Sequence, residues 1–168
     1  VIILINDEQS NIVKTGKSGD FTAEQLDFLQ SLDYSTNLMI WADYREKNVT
    51  TGKMEDHHWT PYLTIVPEKQ AEYESGKESL MTYLKENSKN SRASVDPDNL
   101  QPAKLYFTVT KEGAIKNVRL DRSSNYPSVD ERMIELITNA PGKWKPAENS
   151  EGEKVDQELV ISFGLMGC

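Results

Sequence analysis

Cysteine is almost missing from this chain: its 168 residues hold one, Cys168. A single thiol forms no internal disulfide, so the fold has to be held by its core, and cysteine pairing carries no information about redox compartment. No histidine lies near Cys168 in sequence, and it reads as an incidental thiol rather than a nucleophile. Long apolar runs are missing as well. They reach five residues, as in Val1–Ile5, against the roughly 20 needed to cross a bilayer as a helix. Basic charge is in deficit, with 19 Lys and Arg against 27 Asp and Glu and a formal net charge of −8. That balance disfavours counterion release on nucleic acid and adhesion to anionic lipid, so no nucleic-acid partner is expected. The common hydrolase signatures, G-x-S-x-G and H-E-x-x-H, do not occur. The chain reads as non-catalytic, with no cofactor and no metal.

What is present is a 37% hydrophobic and 27% charged composition, that of a globular chain able to bury a core as one domain or two small ones. The first half opens on an apolar strand, "VIILI", followed by a polar break, "NDEQSN". Thr22 with Gln25 has capping-box spacing, Phe21 can staple onto Leu26, and Leu29 and Leu32 continue the stripe of a helix. "NLMIW" (37–41) and "YLTIV" (62–66) read as strands joined by a polar connector. Ser75 with Glu78 repeats the capping spacing before a helix bearing Leu80, Met81 and Leu84. The polar run 87–102, with two prolines, reads as a loop dividing the two halves of the chain.

From residue 103 the pattern sharpens. "KLYFTVT" puts Leu105, Phe107 and Val109 on one face, and "AIKNVRL" returns after the turn "KEG", which makes a β-hairpin. Ile115 breaks the alternation with Val118, the mark of a bulge. Val129, Met133, Leu136, Ile137 and Ala140 then fall at helical spacing behind Ser128 and Glu131, a third capping pair, and Pro141 and Gly142 stop the helix. In "VDQELVISF", Val155, Leu159, Ile161 and Phe163 share one face of a last strand. The class expected is α+β: a small antiparallel sheet with helices packed on one face, β-β-α-β in the second half, preceded by a smaller α/β region. Trp144 falls in the link between helix and last strand, where an indole can close the open end of the core; Pro146 keeps that link extended and Gly152 turns it.

Other motifs carry less. "TGKSGD" (15–20) ends like a phosphate loop, but Asn11 stands where the chemistry requires the first glycine, so a polar turn is expected. "MEDHHW" (54–59) gathers metal-ligating atoms, yet neighbouring side chains on extended chain point to opposite faces, and His57 and His58 do not readily share an ion. A solvated loop is expected there. Trp41 and Trp59, with Tyr34, Tyr44 and Tyr62, give the first half an aromatic bias, which is where a small-molecule groove would be sought. "NVT" at 48–50 matches a glycosylation sequon that arises readily by chance.

The ordered set formed by "LYFTVTKEGAIKNVRLDRSS", "VDERMIELITNAPGKWKPA" and "GEKVDQELVISF", with W-x-P and a glycine turn before a strand ending in Phe, resembles the C-terminal domain of the TonB energy-transducer family. Upstream, "EYESGKESLMTYLKEN" resembles the helix that precedes this domain in Bacteroidetes-type members, and the likeness spans about residues 64–164. It implies two regions: residues 1–66, of unknown role, and residues 67–168, a TonB C-terminal-like domain. It also implies a periplasmic protein-binding module of the cell envelope, serving transport and recruiting an extended peptide of an outer-membrane receptor by β-augmentation, the addition of a strand to an exposed sheet edge. The acceptor would be Val155, Asp156, Gln157, Glu158, Leu159, Val160, Ile161, Ser162 and Phe163. Asp156, Glu158, Val160 and Ser162 would face outward, and the two carboxylates would favour a basic segment. Pairing of such edges would also give a homodimer. Val1 stands where a translated chain carries Met, so a membrane tether upstream is expected. The alternative is a sensor or regulatory ectodomain of a membrane-bound metallopeptidase-type receptor.

Overall fold

The computed structural model describes residues 1–5, 7–93 and 95–164; Cys168 lies outside them. Helices and antiparallel sheets alternate along the chain, which makes the fold α+β. It divides into two compact units, Val1–Val66 and Pro67–Cys168.

In the first unit, β1 (Ile2–Ile5) pairs antiparallel with β2 (Glu8–Val13). Residues 8–11 of the expected polar break therefore belong to a second strand, which their polar composition concealed. α1 (Ala23–Gln30) packs Phe28 and Leu29, with Leu32 just beyond it, against Val1, Ile3 and Leu38. The sheet is completed by β3 (Asn37–Met39) and β6 (Tyr62–Thr64), in the order β2-β1-β3-β6. The capping box is complete: Gln25 N–H donates to Thr22 Oγ1 at 3.2 Å, and Thr22 N–H donates to Gln25 Oε1 at 2.9 Å. Phe21 and Leu26, the expected staple, are both exposed. Thr22→Ala removes the cap acceptor and is expected to destabilise this unit by about 1 kcal/mol in urea unfolding. An unchanged midpoint would show that water replaces the cap without loss.

The expected connector between residues 41 and 62 is a two-stranded ribbon, β4 (Ala42–Lys47) with β5 (Met54–Trp59). "MEDHHW" is thus a strand rather than a loop. Its turn is built by Asn48, whose Oδ1 accepts from Thr50 N–H and Thr51 N–H, and by Gly52 at φ +68°. That Asx turn was the sequence signal for a hairpin, and the polar composition of both arms masked it.

The second unit is built on β8 (Ala103–Val109) and β9 (Ile115–Arg122), with β13 (Gln157–Phe163) on the other side of β8. Tyr106 pairs with Arg119 and Thr108 with Lys116, so β9 carries one residue too many around Asn117, which sits at φ +52°. This bulge brings Ile115, Val118 and Leu120 against one core. α4 (Pro127–Thr138) covers the sheet with Val129, Met133, Leu136 and Ile137. It starts at Pro127, one residue before the expected cap Ser128. Pro127 takes the first helical position, where its missing N–H is no loss. Asp130 reaches back to accept from Ser124 N–H and Ser123 Oγ.

α2 (Lys77–Asn87) adds Leu80 and Leu84 to this core. Gly76, at φ +85°, is its N-cap, and no side chain caps it, so the Ser75–Glu78 box does not form. The run expected as a dividing loop lies inside this unit and contains α3 (Lys89–Arg92) and a 3-10 turn, Pro97–Asn99. Four two-residue strands complete the unit: β7 (Glu72–Tyr73) pairs with β10 (Trp144–Lys145), and β11 (Ala147–Glu148) with β12 (Lys154–Val155).

Candidate functional site

Along β13 the side chains alternate. Leu159 lies opposite Phe107, Ile161 opposite Leu105 and Phe163 opposite Ala103, all on the face that α4 and α2 cover. Phe107, Leu105 and Phe163 are fully buried, whereas Leu159 and Ile161 are half-buried. The reason is position. β13 ends the sheet order β13-β8-β9, so β8 is its one strand neighbour among the described residues, and no further strand screens its flank. Alternate N–H and C=O groups along that flank have no ladder partner.

Beside this flank runs a groove of about 480 Å³, lined by Leu159, Val160 and Ile161, by Leu80 and Met81 of α2, and floored by Phe107 and Trp144. Alternation puts the Val160 side chain on the opposite face, where it is 50% exposed, leaving its main chain to border the groove. The far wall is the extended segment Gln70–Tyr73. Besides the pairing of Glu72 and Tyr73 with β10, two sets of contacts hold this strap. Gln157, buried at the start of β13, accepts from Ala71 N–H through Oε1 at 2.7 Å. Lys69 exchanges main-chain hydrogen bonds with Glu148, and its Nζ reaches Glu148 Oε2 at 2.6 Å. The hydrogen bond and charge of that pair hold the Glu148 carboxyl below the usual carboxylate range and raise the Lys69 ammonium above its own.

Trp144 fixes the floor. It is 9% exposed, in β10 opposite Tyr73, and meets Tyr73 and Phe107 edge to face with ring centroids 5.2 and 5.4 Å away. Its Nε1–H is buried and has no hydrogen-bond partner among the described residues. Gly113 comes within contact of the Trp144 carbonyl, closely enough that a Cβ there would lie 2.5 Å from the oxygen. Pro146 separates β10 from β11. Gly152, at φ +78°, turns β11 into β12, with Asn149 Oδ1 accepting from Glu151 N–H and Glu153 N–H.

Three expectations are corrected. Val155 does not belong to the last strand: it pairs with Ala147 in the β11–β12 hairpin, and Asp156 breaks the chain between the two strands. Asp156 is not an outward strand residue, since its Oδ1 accepts from Lys111 N–H at 2.7 Å and closes the β8–β9 turn. Glu158 is on the outer face but engaged, 3.0 Å from Arg119, whose guanidinium stacks on Tyr106 at 4.5 Å. Both carboxylates expected to draw a basic segment thus have a partner within the protein, Asp156 a main-chain amide and Glu158 a guanidinium. Within β13 itself, Val160 and Ser162 of the outward set are exposed; Asp156 is exposed too, but outside the strand.

The first unit offers a different surface. Among the described residues, every large apolar side chain that is strongly exposed, Val160 excepted, precedes Pro67. On the ribbon, Trp41 stacks on His58 at 5.3 Å and Tyr44 on His57 at 5.7 Å. Trp41 Nε1–H donates to Asp43 Oδ1 at 2.8 Å. The two imidazoles lie on opposite faces of β5, each held by an aromatic ring, and no set of three or more metal-ligating side chains occurs among the described residues. The "TGKSGD" loop leads into α1, where the capping box takes the amides of Thr22 and Gln25.

Comparison of the chain with models of protein families, with curated proteins and with solved structures finds no match.

Proposed function

We propose that the second unit is a protein-binding module that takes up an extended segment of another protein as a fourth strand beside β13, in the manner of the TonB C-terminal domains its sequence resembles. The single observation that carries the reading is the coincidence of a sheet edge with an open apolar groove along the same three residues, Leu159–Ile161. Edge main chain supplies affinity to any extended partner, and the groove supplies selectivity. In this reading the partner is an envelope protein, an outer-membrane receptor segment for preference, the setting is the periplasm, and no catalytic step is involved.

The test uses adjacent prolines. In an antiparallel pair, successive residues direct their N–H alternately to the neighbour and away. Of Val160→Pro and Ile161→Pro, one removes an outward donor and the other breaks the β8 ladder. The first is expected to melt close to wild type and to lose binding of synthetic outer-membrane receptor peptides by at least about tenfold, whereas Val160→Thr binds as wild type. Equal affinity of wild type and both proline variants would end the proposal.

A further inference from the structure

We infer that the strand taken up by β13 carries large apolar side chains at two positions separated by one residue, and that this spacing, rather than its charge, is what the module selects. The inference rests on β13 being an acceptor edge.

The occupant is fixed first by the main chain. A helix or an irregular loop lying in the groove would cover the flank of β13 without pairing its N–H and C=O groups, and each buried unpaired group is strongly unfavourable. An extended segment pairs them. Its side chains are then fixed by the pleat. Residues directly opposite one another on neighbouring strands point to the same face with Cβ atoms about 4.5–5.5 Å apart. The residues that come to lie opposite Leu159 and Ile161 must enter the groove, while the one between them lies beside Val160 in solvent.

The groove has the chemistry for such a pair. Leu159 and Ile161 point into the core side but remain half-buried, and Leu80, Met81, Phe107 and Trp144 line the same groove. Its volume, about 480 Å³, is of the size that accepts a compact apolar ligand. Charge has the smaller part. Glu158 is engaged by Arg119, Glu72 on the strap lies 3.4 Å from Lys145, and Lys77, which also lines the groove, is exposed to solvent.

The experiment measures anisotropy of labelled synthetic peptides of about nine residues in a Ser/Thr/Lys host. One peptide has Leu at its fourth and sixth positions. A second, of identical composition, has Leu at its fourth and fifth, so that one leucine faces away from the groove whatever the register. The first is expected to bind about tenfold more tightly. Ala71→Phe, which fills the groove from the strap without altering β13, is expected to abolish that preference. Equal binding of the two peptides to wild type overturns the inference and leaves strand addition standing. Failure of every peptide to bind overturns both. A preference that survives Ala71→Phe places the selective pocket elsewhere and also overturns the inference.

Discussion

Trp144→Ala is expected to destabilise the second unit by about 3–5 kcal/mol, the range for truncating a buried aromatic in a core. The indole is 9% exposed and makes edge-to-face contacts with Tyr73 and Phe107. Each contact adds about 0.5–1.5 kcal/mol beyond buried area. The neighbours do not collapse readily into the gap. Tyr73 is tied to Trp144 by strand pairing, and Phe107 sits in the central strand of the sheet. For a unit of roughly 100 residues such a loss lowers the melting temperature by about 15 °C or more. Trp144→Phe separates packing from polarity. It keeps a ring and removes the unpartnered Nε1–H, whose burial costs about 1–3 kcal/mol, so it is expected to lose far less than alanine. Circular dichroism melts of both variants check the pair. Similar losses for Phe and Ala would show that the indole's shape alone matters. A loss below about 1 kcal/mol for Ala would show that Trp144 does not close this core.

Gly113→Val is the second large effect, and it acts through the same residue. Gly113 stands at φ +79° in the β8–β9 turn, a region costly for side chains branched at Cβ. Any Cβ placed there meets the Trp144 carbonyl oxygen at 2.5 Å, and a carbonyl is main chain that does not rotate away. Relief requires shifting either the hairpin turn or β10, with loss of the Trp144–Tyr73 pairing. Conformational strain of about 1–3 kcal/mol combined with the clash is expected to remove about 3 kcal/mol or more. Gly152→Val is the control. Its φ is +78°, but a Cβ there meets nothing within 4 Å, so it carries the conformational part alone. Equal losses at the two positions in urea unfolding would show that the close approach to Trp144 contributes nothing.

Much of the second unit was legible because its signals are local. Leu105, Phe107 and Val109 alternate against a single buried face, and Val129, Met133, Leu136 and Ile137 repeat at helical spacing, so each element declares its own buried side. The bulge in β9 announced itself through the broken phase of Ile115 and Val118. The ribbon of the first unit did not, because β4 and β5 bury almost nothing. With no apolar face there is no period to read, and only the Asn48 turn marks the hairpin.

The sequence by itself determined which segments become β8, β9, α4 and β13, since hydrophobic phase and helix stops act over a few residues. Only the tertiary structure decided what those elements leave open. The strap depends on Gln157 holding Ala71, 86 residues away, and on Lys69 meeting Glu148, 79 residues away. Those same long-range contacts set the far wall of the groove, as Asp156 and Arg119 decide which carboxylates remain on offer. Periodicity along a chain specifies which side of a strand is apolar. Whether a neighbour covers that side depends on which distant segments meet there, and that is fixed by the packing of the whole unit.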